Sequence, residues 1–281
     1  MTRQNLLKID PTIPTLGSRN VDSPLNYKGW EDDQKTPIII DEDLCTAIEK
    51  PFMLDFETAG PRRKLHFAPA ECRAAIVTCG GLCPGLNDVI RAIVMECHHG
   101  YGIKTTLGFR YGLEGFIEKY GYKHVELKPD NVKDIHMFGG TTLGCSRGPQ
   151  DVNEIVNTLV RHNINMLFII GGDGTMRAAQ AIFERVTERK LDIAVVGIPK
   201  TIDNDISFIP QSFGYETAVG KASEAIECAH TEALGAPYGI GMVKLMGRES
   251  GFIAARATLA MKEVNFVLIP EARFELEGEG G

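Results

Sequence analysis

Apolar and polar residues follow a repeating order along the chain from about residue 72 onwards. Short apolar runs, typical of buried strands, alternate with stretches in which apolar residues recur at helical spacing. Strands are predicted at 74–78, 166–170, 193–198, 240–246 and 266–271. Helices are predicted around 86–97, 152–160, 179–186, 215–234 and 252–257. This alternation predicts an α/β fold with parallel, doubly wound sheets, in which the polar loops after the strands gather at one edge.

Residues 1–71 differ from this pattern. Proline is frequent, periodicity is weak, and one short apolar run occurs at 37–40. We interpret this part as an N-terminal extension that lies across the main body and adds either an edge strand or a hairpin.

Composition narrows the class of protein. The 281 residues are 43% hydrophobic and 24% charged, with a formal net charge of −7. These values are ordinary for a globular protein and do not favour nucleic-acid binding. No apolar stretch is long enough for a membrane helix, and the first residues lack the apolar core of a signal peptide. The seven cysteines are irregularly spaced, so we expect free thiols and a cytoplasmic setting.

Three glycine-rich turns lie at 80–85, 139–148 and 171–175. A strand, a glycine turn and a helix together aim backbone N–H groups at an anion, and Arg147 adds a fork of donors. Asp173, among glycines at a strand end, is placed to hold Mg²⁺. The alternative is structural: glycine also serves tight turns, and Asp173 or Thr175 could be a helix N-cap.

Two carboxylates, Asp203 and Asp205, follow the strand predicted at 193–198, and Lys200 precedes them. Ligands bind at the carboxyl ends of strands in open α/β sheets. Two acids and a lysine there suit phosphoryl transfer, since one acid can accept a proton and the lysine can meet phosphate. The alternative is an Asx-type turn in which the Asp side chains and Asn204 cap their own backbone.

Six motifs occur in one order over residues 72–281, and with them the chain resembles the phosphofructokinase family. They are GGLCPGLN at 80–87, GGTTLGCSRG at 139–148, GGDGT at 171–175, PKTIDND at 199–205, MGRESG at 246–251 and IPE at 269–271. GGDGT alone also recurs in NAD kinases and diacylglycerol kinases, but TIDND and MGR argue against those. The motif sequences VTCGGLCPGLN and KLMGR are most similar to those of plant and trypanosomatid ATP-dependent enzymes and of related bacterial forms.

The resemblance implies a 6-phosphofructokinase of glycolysis, an allosteric enzyme that uses ATP and Mg²⁺ to phosphorylate the C1 hydroxyl of fructose 6-phosphate. Asp203 would be the general base. The other implied catalytic residues are Lys200, Thr201, Asp205 and Arg248. The implied nucleotide-binding residues are Gly80, Gly81, Arg147, Gly148, Gly172, Asp173, Gly174 and Thr175, with Asp173 as the metal ligand. The implied sugar-phosphate residues are Thr201, Ile202, Asp203, Met246, Gly247, Arg248 and Glu271.

The resemblance also implies a two-domain, three-layer αβα architecture. Residues 1–71 would be the extension, 72–210 the domain for the nucleotide or phosphoryl donor, and 211–281 the start of the fructose 6-phosphate domain. The family continues beyond this point, so we expect the C-terminal part to be missing and the sugar site to be half present. The alternative is a non-catalytic fragment that binds nucleotide. A homo-oligomer, either a tetramer or a dimer, is expected of the full-length form.

Two positions bear on the phosphoryl donor. Gly174 leaves room for the α-phosphate of ATP, where pyrophosphate-dependent members usually carry Asp. Lys200 points the other way, because pyrophosphate-dependent enzymes carry Lys at this position. Plant and trypanosomatid ATP-dependent enzymes combine that Lys with the glycine, as this chain does. Because Gly174 acts sterically on a part of ATP that pyrophosphate lacks, we expect ATP, with pyrophosphate as the alternative.

Overall fold

The computed structural model describes residues 10–31, 33–39, 53–275 and 277–278. Its centre is a five-stranded sheet in the order β7-β6-β5-β8-β9. The strands are β5 (Arg73–Thr78), β6 (Thr105–Phe109), β7 (Val125–Glu126), β8 (Met166–Gly171) and β9 (Ala194–Pro199). Strands β5, β6, β8 and β9 are parallel, and β7 pairs antiparallel with β6. The strands predicted at 74–78, 166–170 and 193–198 are therefore confirmed within one residue, whereas the sequence analysis missed β6 and β7.

Helices cover both faces of this sheet. They are α1 (Leu86–Met95) and the short α2 (Pro129–Val132) on one face, and α3 (Val152–Arg161) and α4 (Asp173–Glu188) on the other. Two further helices, α5 (Tyr215–Leu234) and α6 (Phe252–Ala260), follow β9. Because successive strand residues point to opposite faces, Ala75 and Val77 pack with α3 and α4, while Ile76 packs with α1. The predicted three-layer arrangement is confirmed for this sheet. Outside it, α5 and α6 share a small core of their own.

The N-terminal extension forms two small antiparallel pairs. Strand β1 (Val21–Asp22) pairs with β4 (Lys64–Leu65), and β2 (Lys35–Ile39) pairs with β3 (Met53–Glu57). We call β2 and β3 the N-terminal hairpin. Neither pair joins the central sheet, so of the two predicted alternatives the structure contains the hairpin. Residue 40 of the predicted run lies outside the described residues.

The strands predicted at 240–246 and 266–271 are wrong: both segments are loops. Their apolar side chains stay largely exposed, at 88% for Ile240, 89% for Met242 and 89% for Phe266. A strand is stabilised by hydrogen bonds to a neighbour, and within the described residues neither segment has one. The apolar pattern therefore identified segments suited to a sheet, but it does not show whether a neighbouring strand is present to pair with them.

Candidate active site

Glycine turns and the acid pair meet at the carboxyl ends of the central strands. The turn after β5 contacts the loop 139–148 through the Gly80 amide, which donates to the Ser146 carbonyl at 3.1 Å. The segments after β8 and β9 are joined by the Lys200 amide, which donates to the Gly171 carbonyl at 2.8 Å. The structure thus brings the first four motifs to one edge of the sheet, as the sequence predicted.

Two cationic side chains approach the turn after β5. The Lys200 ammonium donates to the Gly81 carbonyl at 2.8 Å. A Cβ atom on Gly81 would lie 3.4 Å from the guanidinium of Arg147, so glycine permits this close approach. Gly80 and Gly148 have φ of 80° and 101°, in the left-handed region that favours glycine. These residues gather positive charge beside bare backbone, which suits a phosphate.

Lys200 is buried, with 6% of its surface exposed. Within the described part of the chain, no carboxylate lies within ion-pair distance of its ammonium group. Burial raises the pKa of the nearby Cys79 thiol to about 12, so this thiol stays protonated and adds no negative charge. A buried cation without an anionic partner is costly, and a bound phosphate would compensate it.

The loop 139–148 is held in place by two buried side chains that the sequence analysis did not select. Thr78, at the end of β5, donates its hydroxyl to the Gly144 carbonyl at 2.8 Å. Asn87, in α1, donates to the Phe138 carbonyl and accepts from the Thr142 amide, each at 2.8 Å. Asn87 belongs to the GGLCPGLN motif, so the signal was present, but only the folded chain shows which loop it holds.

The GGDGT turn begins α4. Gly172 is the N-cap, so the alternative that Asp173 or Thr175 caps this helix is wrong. Gly171 has no room for a side chain, since a Cβ atom would lie 2.3 Å from the Thr175 hydroxyl. Gly174 is different, because a Cβ atom there would meet nothing within 4 Å. Gly174 is therefore not required for packing.

The Asp173 carboxylate is exposed and forms an ion pair with Arg177 one turn along α4. No group of three or more metal-binding side chains occurs among the residues described. Mg²⁺ does not need one, since it commonly keeps several waters and uses one or two carboxylates together with substrate phosphates. A single exposed carboxylate beside glycine turns suited to phosphate fits that mode of binding, with Arg177 as the cation that Mg²⁺ would replace.

The acid pair lies just beyond β9. Thr201 donates its hydroxyl to Oδ1 of Asp205 at 2.5 Å and accepts from the Asp203 amide at 3.2 Å. Oδ1 of Asp203 is buried and has no hydrogen-bond partner among the described residues. Such an unpaired acceptor is unusual in a folded protein. Asp203 thus has an uncommitted acceptor, which a ligand would reach by displacing the atoms that cover this oxygen.

Asn204, and neither of the two acids, bonds to the backbone here, although to residues six and eight positions further on and not in an Asx turn. Oδ1 of Asn204 accepts from the Ser212 amide at 2.7 Å, and its Nδ2 donates to the Pro210 carbonyl at 3.1 Å. Asn204 has a φ of 56°, in the left-handed region that Asn tolerates. The residue between the acids therefore closes the loop, and the carboxylates remain available.

The last two motifs meet at the N-terminus of α6, next to Asp203. Ser250, which is buried, donates its hydroxyl to the Asp203 carbonyl at 3.0 Å. Glu271 accepts from the Gly251 amide at 2.8 and 3.1 Å and so caps α6. Gly247 has a φ of 140°, and a Cβ atom there would lie 2.0 Å from the Ser250 carbonyl oxygen.

Three other predicted residues take no part in these bonds. Met246 and Arg248 are exposed, and Ile202 is partly buried against the cores around α1 and α5. The structure places Met246 and Arg248 in the loop that leads to Ser250, without a hydrogen bond to the acid pair.

Glycine-rich turns at several strand ends, beside an unpaired acid, are typical of α/β enzymes that act on phosphorylated ligands. The family model described as Phosphofructokinase matches residues 73–279, and the chain belongs to this family.

The chain is 50% identical to an ATP-dependent 6-phosphofructokinase of Amycolatopsis methanolica, over 88% of this chain and 53% of that one. It is 47% identical to ATP-dependent 6-phosphofructokinase 7 of Arabidopsis thaliana, over 99% of this chain and 56% of that one. The chain thus spans about half the length of these curated relatives. The fold is similar to Pichia pastoris phosphofructokinase in the T-state, with a TM-score of 0.59 at 22% identity over 73% of this chain and 22% of that one.

Proposed function

We propose that the protein containing this chain is a 6-phosphofructokinase of glycolysis. It would transfer the γ-phosphoryl group of ATP to the C1 hydroxyl of fructose 6-phosphate, giving fructose 1,6-bisphosphate and ADP. The observation that carries this proposal is the buried, unpaired Oδ1 of Asp203, next to the Thr201–Asp205 hydrogen bond. The names of the curated relatives support the reaction and the donor.

In this proposal Asp203 is the general base. Its Oδ1 accepts the proton of the C1 hydroxyl as the hydroxyl oxygen attacks the γ-phosphorus. The bond between the γ-phosphorus and the bridging oxygen breaks, and ADP leaves with that oxygen and the electron pair. Thr201 orients Asp205 and, through the Asp203 amide, the base itself. Positioning and charge compensation supply most of the catalysis of phosphoryl transfer, so these contacts are where the rate would be set.

The nucleotide phosphates would lie against the glycine turns. The proposed contacts are the backbone of Gly80, Gly81, Gly148, Gly172 and Gly174, with Thr175 and the cationic side chains of Arg147 and Lys200. Asp173 would exchange its Arg177 partner for Mg²⁺. When bound there, Mg²⁺ would neutralise phosphate charge.

The sugar phosphate would lie on the other side of Asp203. The proposed contacts are Thr201, Ile202, Met246, Gly247, Arg248 and Glu271. Arg248 is exposed and makes no ion pair with the described residues, so it is free to meet an anionic substrate. Glu271 already holds the α6 N-terminus, so its proposed sugar contact would share that carboxylate.

We propose ATP as the donor in preference to pyrophosphate. The open space around Gly174 supports this choice, because the fold has no need of glycine there. A carboxylate at this position would occupy that space and repel the α-phosphate.

The test compares both donors in the wild type and in Gly174→Asp. We expect kcat/KM for ATP to fall at least about tenfold, while any use of pyrophosphate is less affected. Gly220→Asp is the matched control, since Gly220 lies on α5 with equally open space and away from the turns. A wild type that turns over with pyrophosphate and not with ATP would contradict the proposal.

A second candidate is a chain that binds nucleotide without turnover. Binding of ATP without transfer to fructose 6-phosphate would support this alternative.

We also propose that the full-length protein is a homo-oligomer, either a tetramer or a dimer, and that it works in the cytoplasm. The free thiols of the described cysteines support the latter.

A further inference from the structure

The loop that follows the acid pair is closed on itself. Asn204 bonds to Pro210 and Ser212, and the Ser212 hydroxyl donates to the Thr201 carbonyl. Both ends of the loop 203–212 are therefore fixed next to the Thr201–Asp205 hydrogen bond. Any displacement of this loop would be transmitted to the two carboxylates.

Phe208 lies in the middle of this loop in an unfavourable conformation. Its φ is 66°, a left-handed value that is rare for a bulky residue. Such conformations persist where the surroundings over-determine them. The Ile209 amide donates to the Ile206 carbonyl at 3.3 Å and closes a turn around the Phe208 backbone, whereas the position of the Phe208 ring depends on what packs against it.

The contact that Phe208 makes comes from the N-terminal hairpin. The ring centroid of Phe56, in β3, lies 6.0 Å from that of Phe208, with the planes inclined at 49°. This is an ordinary distance for a favourable aromatic pair. It joins residues 152 positions apart and connects the extension to the loop of the acid pair.

The N-terminal hairpin is fixed by the hydrogen bonds and ion pairs of one arginine. Arg62, with a side chain 15% exposed, donates to Glu57 at 2.9 Å, to Asp33 at 3.1 Å and to the Thr58 carbonyl at 2.6 Å. These bonds tie β3 to the segments on both sides of the hairpin.

The extension has a second anchor on the main body. His66 pairs with Asp192 at 2.7 Å, just before β9 begins, whereas Phe208 lies beyond the end of β9. The extension thus contacts the main body near both ends of β9, the last strand of the sheet.

We propose that Phe208 is a positioning residue for Asp203 and Asp205, and that Phe56 of the N-terminal hairpin holds it in place. The inference rests on the proposed function, since it assigns the extension a part in aligning the base. Neither ring touches the reacting atoms. The extension would act through the loop 203–212 alone.

The test uses the full chain with Phe56→Ala, Phe208→Ala, the double variant, and the Leu variants at both positions. We expect each Ala variant to lower kcat about tenfold with KM for the nucleotide unchanged, because a misplaced base slows chemistry without weakening donor binding. The double variant should be no slower than the slower single one, since both remove the same contact. The variants with Leu in place of Phe should keep most of the wild-type kcat, because Leu preserves an apolar contact.

Hydrogen exchange supplies a readout that needs no activity. Phe56→Ala should speed amide exchange at 203–212, in a segment to which Phe56 does not belong. Tyr27→Ala is the control, because Tyr27 is an aromatic residue of the extension that pairs with Trp30 and not with this loop. It should leave exchange at 203–212 unchanged.

Wild-type exchange at 203–212 in Phe56→Ala would overturn the inference, and so would a loss of kcat in Phe208→Ala alone. Additive losses in the double variant would overturn it as well. A wild type that cannot phosphorylate fructose 6-phosphate would instead contradict the proposed function. In that case the exchange comparison still decides whether the hairpin holds the loop.

Discussion

Asp203 and Asp205 stand two positions apart and have different surroundings. Asp205 accepts the Thr201 hydroxyl, whereas Oδ1 of Asp203 is buried without a partner among the described residues. A carboxylate committed to a neighbouring hydroxyl is suited to orientation, and one that is buried and unpaired is suited to accepting a proton. This difference is the basis on which the proposed function gives separate roles to two residues of the same type.

Asp203→Asn keeps the size of the side chain and removes the base. We expect kcat to fall by about 10²- to 10⁴-fold, the usual contribution of a general base. ATP affinity, measured by calorimetry, should stay close to that of the wild type. Asp130→Asn, on the exposed surface of α2, is the control for loss of a carboxylate. A variant that keeps more than half of the wild-type kcat would show that another group takes the proton.

At the scale of single residues, the motifs identified the segments that meet at the carboxyl edge of the sheet. Sequence alone did not identify Thr78, Ser212 or Ser250, each of which is buried and bonded to the site's backbone. A hydroxyl residue has the same appearance in a sequence whether it is exposed or buried. Its partner lies 11 to 66 positions away in these cases, beyond the reach of local pattern.

At the scale of the element, α6 begins at a carboxylate supplied from 20 residues further along the chain. Glu271 accepts from the Gly251 amide with both oxygens, which satisfies an otherwise free N–H and places negative charge at a helix N-terminus. The segment 266–271, which the sequence assigned to a strand, is a loop. It stabilises the structure through its last residue, Glu271, which caps α6.

Glu271→Ala should lower the free energy of unfolding by about 1 kcal/mol, as for loss of a helix cap. Urea denaturation followed by circular dichroism would measure it. Glu275→Ala, four positions further on and also exposed, should change it little. Equal stability in both variants would mean that the cap contributes nothing measurable in solution.

At the scale of the whole molecule, the sequence identified the layers of the sheet but not its full extent. Strands β5 and β8 are largely buried on both faces and leave continuous apolar runs, so they were found. The edge strand β9 is partly exposed but has an equally continuous apolar run, so it was found as well. Strand β6 contains Thr105, Thr106 and Gly108, which break the apolar pattern, and β7 is two residues long. The runs at 240–246 and 266–271 carry the pattern without strands to pair with, and pairing partners are a property of the fold.

The extension and the main body are joined at His66, which gives the molecule a pH-dependent contact. The hydrogen bond to Asp192, and then that to the Ser18 carbonyl, raise the pKa of His66 above its usual value. The stabilisation is therefore fully present below about pH 6.5, the unfolded-state value, and is lost as pH rises through the folded-state pKa. Because Asp192 is largely exposed, solvent screening keeps the effect modest.

The prediction is a pH-dependent difference between the wild type and His66→Gln. The wild type should have the higher thermal midpoint at pH 6, and the difference should shrink by pH 8.5. His136→Gln serves as the control, since His136 forms no ion pair among the described residues. A difference that is constant with pH would show that His66 contributes packing and not charge.

The open space at Gly174 has an evolutionary consequence. Glycine within a helix costs about 0.5–1 kcal/mol relative to alanine, and aspartate in a first turn is favoured by the helix dipole. The Cβ atom of an aspartate here would meet no protein atom within 4 Å, and a single base change converts a glycine codon into an aspartate codon. If the proposed function holds, this single change would act on the binding of the phosphoryl donor and leave the packing around that position unchanged. If the donor has stayed the same, selection on the chemistry has kept the glycine there against the stability of the helix.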